Sequence, residues 1–250
     1  MDIYSLAPVA TVLDLAYTLV TALAQALAPL SGGFSAALAV IVVTIAVRLL
    51  LIPVGRSQVR AEFTRRRLAP RLRDLRRRYG KNPELLQRKT MELYAEEKAS
   101  TLAGCLPTLL QAPVLSVLYG LFVLATIDGH PNGLLTKHLL SVPLGASLPA
   151  FLGAGAAAWP GVLVYLVLLA GIATVAAISR VHALRFAEPP AEDAPEAVLR
   201  MTRALSWAPL VTVVFAALVP LAATLYLAVS ATWTLVERAI LRRRLRPALG

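Results

Sequence analysis

The chain has 250 residues, 58% of them hydrophobic, a mean hydropathy of +0.69 and a formal net charge of +11 from 25 Lys and Arg against 14 Asp and Glu. Its uncharged runs are longer than a soluble core needs and exclude a water-soluble globule, since about 20 apolar residues already cross the roughly 30 Å hydrocarbon layer of a bilayer. One cysteine, Cys105, excludes an intramolecular disulfide, and His130, His138 and His182 lack metal-ligand spacing.

Asp2 and Asp14 stand where a signal peptide would carry positive charge, so the N-terminus is expected to be retained. Residues 8–28 read as a helix lying in the membrane interface, within an N-terminal segment 1–33. A further spanning helix is the competing reading. The first span is predicted over 34–55 and ends where charge begins, at Arg56. It carries Arg48 in its interior, a charge that costs about 2.5–3.5 kcal/mol at bilayer depth.

Residues 56–98 hold fourteen Lys and Arg against six Asp and Glu. Lys and Arg favour the cytoplasmic side, which places this segment inside and the N-terminus outside. Leu68, Leu72, Leu75 and Tyr79 recur at helical spacing, Gly80 to Pro83 breaks the pattern, and Leu86, Thr90 and Leu93 resume it. A helical hairpin standing on the membrane is therefore expected, its outer faces covered by arginine. Such a surface suits an acidic partner, namely ribosomal RNA, lipid headgroups or a polypeptide.

A second span is predicted over 99–127, returning the chain outside to a turn-rich loop at 128–158. Pro107, Pro113 and Gln111 interrupt this span, and polar or irregular positions in hydrocarbon face the protein interior or a wet cavity. By helical rise Arg48 and Thr108 both lie about 12 Å from the cytoplasmic edge, with Gln111 and Thr44 one turn deeper. These four side chains could share one polar pocket.

The third span is expected over 159–179, anchored by Trp159, and is followed by an acidic, proline-containing cytoplasmic linker at 180–203. Residues 204–236 form an uncharged run that as one helix would be roughly 50 Å long. Splitting it near Pro220 gives a fourth and a fifth span. It also keeps Arg238, Arg242, Arg243, Arg244 and Arg246, in the tail 237–250, on the cytoplasmic side. The fold class is thus an all-α integral membrane protein with five transmembrane helices, N-out and C-in.

The stretches VRLLLIPVGRSQ, AGCLPTLLQAP and VPLAATLYLAVSATWT, in this order around a basic hairpin, make the chain resemble the YidC/Oxa1/Alb3 membrane protein insertases. The resemblance covers nearly the whole chain and looks like the minimal core found in Gram-positive bacteria. Ala99, Ser100 and Thr101 stand where the family commonly has Asn-Pro, and Ala222 to Leu227 lacks the usual glycine and tryptophan.

What the resemblance implies is a hydrophilic groove open to cytoplasm and lipid, with Arg48 at its centre and Thr44, Thr108 and Gln111 beside it. Newly made membrane proteins would be the clients, and the location the bacterial plasma membrane. The ribosome and the Sec translocon are further candidate partners. Contact with ribosome or anionic lipid falls to Arg65, Arg66, Arg67, Arg76, Arg77, Arg78, Arg242, Arg243 and Arg244, with no sequence-specific nucleic acid. No nucleophile, acid–base pair, metal set or P-loop suggests an enzyme or a cofactor. The competing classes are a small anion transporter or channel using Arg48, and a basic scaffold that would need no buried arginine.

Overall fold

The computed structural model describes residues 7–97, 116, 117, 119–127, 129–154, 159–186 and 196–245. Helix α1, Ala7–Ser31, is followed by a single 3-10 turn at Gly32–Phe34 and by α2, Ser35–Leu50. Gly32 takes φ +52, a left-handed value that a side chain would resist, and it changes the chain's direction there. The two helices pack side by side as the most extensive pairing among the described residues. Leu13, Val20 and Ala24 of α1 and Ala36, Ala37, Ala39, Val40 and Val43 of α2 are buried in one core. The alanines let the two backbones approach, which is how helices gain contact where lipid competes for apolar surface.

The helix of the first predicted span stops at Leu50, five residues before the expected end, and α3, Ile52–Tyr79, begins at once. Pro53 lies in the first turn of α3, where its missing N–H is not required. The basic segment then forms the expected hairpin. Helix α4, Pro83–Glu96, is capped by Asn82, whose side chain accepts from the Leu85 N–H at 3.1 Å. Leu68 and Leu93 are buried, Leu72, Leu75, Tyr79, Leu86 and Thr90 are half-buried, and the stripe read from spacing is the face turned inward. Arg67 and Arg71 of α3 both pair with Glu97, at 2.9 and 2.6 Å, closing the hairpin at its base.

Residues 125–154 correct the all-α expectation in detail. They contain two minimal β-hairpins, Thr126–Ile127 with His130–Pro131 (β1, β2) and His138–Leu139 with Val142–Pro143 (β3, β4), then a short helix α5, Leu148–Gly153. Each strand is two residues long because Pro131 and Pro143 cannot donate to a longer ladder and the turns take positive φ at Gly129 and Leu140. Asn132 is 3% exposed and organises the segment: Nδ2 donates to the Leu121 and Leu124 carbonyls at 2.8 and 2.9 Å, and Oδ1 accepts from the Leu134 N–H at 3.2 Å. Tyr17 and Asp14 of α1 reach the same segment, through the Gly133 N–H and His130.

Helix α6, Trp159–Phe186, runs seven residues past the expected end of the third span. Arg180 and Arg185, which follow the expected end of the span, do not stop the helix. Within the linker α7, Glu196–Leu205, is helical, and it joins α8, Ala208–Leu218, through a 41° bend. The 204–236 run breaks where predicted, at Val219 and Pro220, before α9, Leu221–Leu245. Thr224 Oγ1 donates to the Ala216 carbonyl at 2.7 Å, and this is the acceptor that Pro220, lacking an N–H, leaves without its helical partner. The first N–H groups of α9 are satisfied from the loop, Leu221 by the Ala146 carbonyl at 2.8 Å and Ala222 by that of Leu144 at 2.9 Å. The tail is no separate element, because α9 continues as one helix through Arg242, Arg243 and Arg244.

Among the described residues two helical stretches, Val9–Leu50 and Trp159–Phe186, are long and apolar enough to cross a membrane, or three if the bent pair α7–α8 is one span. The chain is a mostly helical membrane protein.

Candidate functional site

Helices α2, α6, α8 and α9 pack around a cavity of about 280 Å³. Its polar lining comes from all four: Arg48 of α2, Ser179 of α6, Thr212 of α8, and Tyr226, Ser230 and Thr234 of α9. Ile172, Ala176, Pro209 and Leu227 supply apolar wall between them. Tyr226, Ser230 and Thr234 are four residues apart and so line one face of α9.

Arg48 is half-buried and has no carboxylate at salt-bridge distance among the described residues. Ser230 Oγ is buried with no hydrogen-bond partner among them either. Thr234 turns its hydroxyl back to the Ser230 carbonyl at 2.8 Å. An arginine that makes no salt bridge and senses Glu237 of α9 only through longer-range charge attraction, and an unpaired hydroxyl in the same hollow, leave hydrogen-bonding capacity that water or an incoming polar chain can satisfy.

Of the four groove residues expected from the sequence, only Arg48 is placed on this cavity. Thr44 is 1% exposed, does not line it, and donates its hydroxyl to the Val40 carbonyl one turn back at 2.6 Å. A threonine on an apolar helix can satisfy itself in this way, so its depth alone did not mark it as a groove residue. Thr108 and Gln111 lie outside the described residues. Sequence reasoning missed Ser179, Thr212, Tyr226, Ser230 and Thr234; the i, i+4, i+8 recurrence of the last three inside an uncharged run was the available signal.

The basic residues fall into two groups. Arg65, Arg76, Arg77, Arg78, Arg243 and Arg244 are exposed, and so is Arg67, although Glu97 pairs with it. Arg78 also pairs with Asp74 one turn away on its own helix, at 2.9 Å. Arg66 and Arg242 are engaged internally. Arg66 donates to the Phe186 carbonyl and stacks over the Phe186 ring at 4.6 Å, and Arg242 covers the same ring at 4.4 Å. Arg242 also bonds Glu62 of α3 at 3.0 Å, with its side chain only 11% exposed. Phe186 between two guanidinium groups thus joins the hairpin, the end of α6 and the end of α9. These two arginines hold the fold together at its charged end and offer little to a partner.

The family profile described as 60Kd inner membrane protein matches residues 26–248. Similar curated proteins include the membrane protein insertase YidC of Shewanella sp. (strain ANA-3), 38% identical over 104 residues, which are 42% of this chain and 19% of that protein. The membrane protein insertase YidC of Fusobacterium nucleatum is 37% identical over 89 residues, 36% of this chain and 42% of that protein. The inner membrane ALBINO3-like protein 2, chloroplastic, of Chlamydomonas reinhardtii is 30% identical over 221 residues, 84% of this chain and 49% of that protein. The matches therefore span between about a fifth and about a half of these relatives' lengths.

Proposed function

Since the chain belongs to the YidC/Oxa1/Alb3 family and is a multi-pass protein of the cell membrane, we propose that it is a membrane protein insertase whose working site is the Arg48 cavity. The observation that carries this reading is an arginine that makes no salt bridge among the described residues, facing polar side chains from three other helices.

The mechanism follows from the cost of moving polar atoms through hydrocarbon. A client's acidic tail entering the hollow exchanges water for Arg48 and for the hydroxyls of Ser230, Thr212 and Ser179. The apolar distance it must still cross is shortened by the depth of the hollow. The client's own apolar helix then moves sideways into lipid, driven by its transfer free energy. A negative charge moving outward gains about 2.3 kcal/mol per 100 mV of membrane potential. No covalent bond is made or broken and no nucleotide is needed. Thr108 and Gln111 belong to the proposed groove by the spacing argument.

The proposed topology has five spans, N-out and C-in, with the 56–98 hairpin and the end of α9 in the cytoplasm. In a Cys105→Ser protein, cysteines at Asn82 and Arg243 are expected to be protected from a membrane-impermeant thiol reagent in intact cells, and one at Thr136 to react. Protection at Thr136, or reaction at Arg243, overturns this topology.

The exposed arginines are proposed to receive the ribosome, with the Sec translocon as a further partner. Replacing Arg76, Arg77, Arg78 and Arg243 by alanine is expected to weaken ribosome association. It should also flatten the dependence of log affinity on log salt by about 0.7–0.9 for each phosphate no longer neutralised. An unchanged salt slope removes these residues from the interface.

A further inference from the structure

A second cavity, about 440 Å³ and separate from the Arg48 hollow, lies between the first turns of α3 and the last turns of α9. Arg56 and Arg60 enter it from α3 and Arg244 from α9, while Trp233, Val236 and Ile240 form an apolar wall. Its level in the membrane is fixed by sequence. Arg56 is the first charge after α2, and Glu237 the first after the uncharged run 204–236, so the cavity sits where hydrocarbon meets water.

None of the three arginines has a carboxylate at salt-bridge distance among the described residues. Among the described residues the one acid lining the cavity is Glu237. It accepts from Trp233 Nε1 at 2.9 Å, and it is packed so closely on α3 that a Cβ at Gly55 would collide with it. Three cations against one acid leave the hollow positive, and its apolar wall faces the acyl region. A free anion would have no use for that wall, and a zwitterionic lipid would leave the excess charge unmet.

The geometry points to a binding site for one anionic phospholipid, its phosphate held by Arg56, Arg60 and Arg244 and its upper acyl chain lying on Trp233, Val236 and Ile240. This goes beyond a general attraction of basic residues to acidic membranes, because it assigns a concave site to named residues and excludes Arg66 and Arg242, which are engaged elsewhere.

Trp233 is a reporter already in place. With Trp159→Phe and Trp207→Phe, the full chain keeps one tryptophan, and the second substitution still offers a ring to Arg180, which lies over Trp207 at 4.0 Å. The protein is reconstituted in phosphatidylcholine vesicles that carry, at equal mole fraction, either phosphatidylglycerol or phosphatidylcholine brominated on the upper acyl chain. Brominated phosphatidylglycerol is expected to quench Trp233 about twofold or more in excess of brominated phosphatidylcholine, given the attraction of each arginine to an anionic lipid. Arg56→Gln, Arg60→Gln and Arg244→Gln together should bring the ratio to one at unchanged helicity. If the triple variant loses helicity, Arg244→Gln alone, at an exposed position, should lower the ratio. Equal quenching by the two lipids in the arginine-bearing protein overturns the site, as does a ratio unaffected by the substitutions. Loss of the excess on adding inorganic phosphate assigns the arginines to a free anion and overturns the lipid. Displacement by an acidic client peptide with no lipid preference assigns the cavity to the client instead.

Discussion

Arg48→Ala protein reconstituted in liposomes is expected to insert single-span clients with acidic N-terminal tails roughly ten- to a hundredfold more slowly than the unaltered protein, the range that losing a hydrogen bond to a charged group of about 1.5–3 kcal/mol implies. The loss is expected at unchanged folding, because Arg48 makes no salt bridge among the described residues and its attraction to Glu237, which also accepts from Trp233 Nε1, acts at longer range. Arg48→Lys should keep much of the activity, since the proposed role needs a positive charge more than a planar fork. Clients whose tail acids are neutralised should depend less on position 48, and an imposed potential should speed the acidic clients in both proteins. Insertion of every client at the unaltered rate by Arg48→Ala would sink the charge-receiving mechanism, leaving Arg48 as a side chain that reaches out to the interface.

A second large effect is expected on stability, at Asn132. Asn132→Ala removes two donors and one acceptor from a site that is 3% exposed, stranding the Leu121 and Leu124 carbonyls and the Leu134 N–H. The cost is about 2–4 kcal/mol, since each buried group left unsatisfied costs about 1–3 and the three sit too close to add fully. Asn132→Asp keeps the acceptor for Leu134 but loses both donations, so it should also destabilise. Thermal unfolding in detergent micelles measures this, and an unchanged midpoint in Asn132→Ala would show that the loop does not depend on these bonds.

The parts of the fold that were legible in the sequence are those set by local chemistry. Pro220 ends α8 because proline lacks an N–H, and the stripe from Leu68 to Tyr79 turns inward because helical spacing aligns it. The span ends are expected where charge begins, but the helices do not stop there. Helix α9 therefore continues through its arginines to Leu245, and α6 passes Arg180 to Phe186. Residue roles made by distant partners were illegible for the same reason. Nothing near Arg66 or Arg242 in sequence reveals that both converge on Phe186, across 120 residues in the case of Arg66. Arg48 stood out in the candidate site because a charge in an apolar run has a cost that must be explained. Ser230 and Thr234 did not, because a lone hydroxyl in such a run is common.

The clasp at Phe186 also sets a clock. Glu62 and Arg242 are 180 residues apart, so at about 5–20 residues per second a ribosome takes roughly 9–36 s to supply the second after the first. Over the same interval Arg48 is already made, while Tyr226, Ser230 and Thr234, which form the opposite wall, are not. The cavity comes into being only once α9 is made, so under the proposed mechanism a nascent copy would lack the working site until that helix is in place.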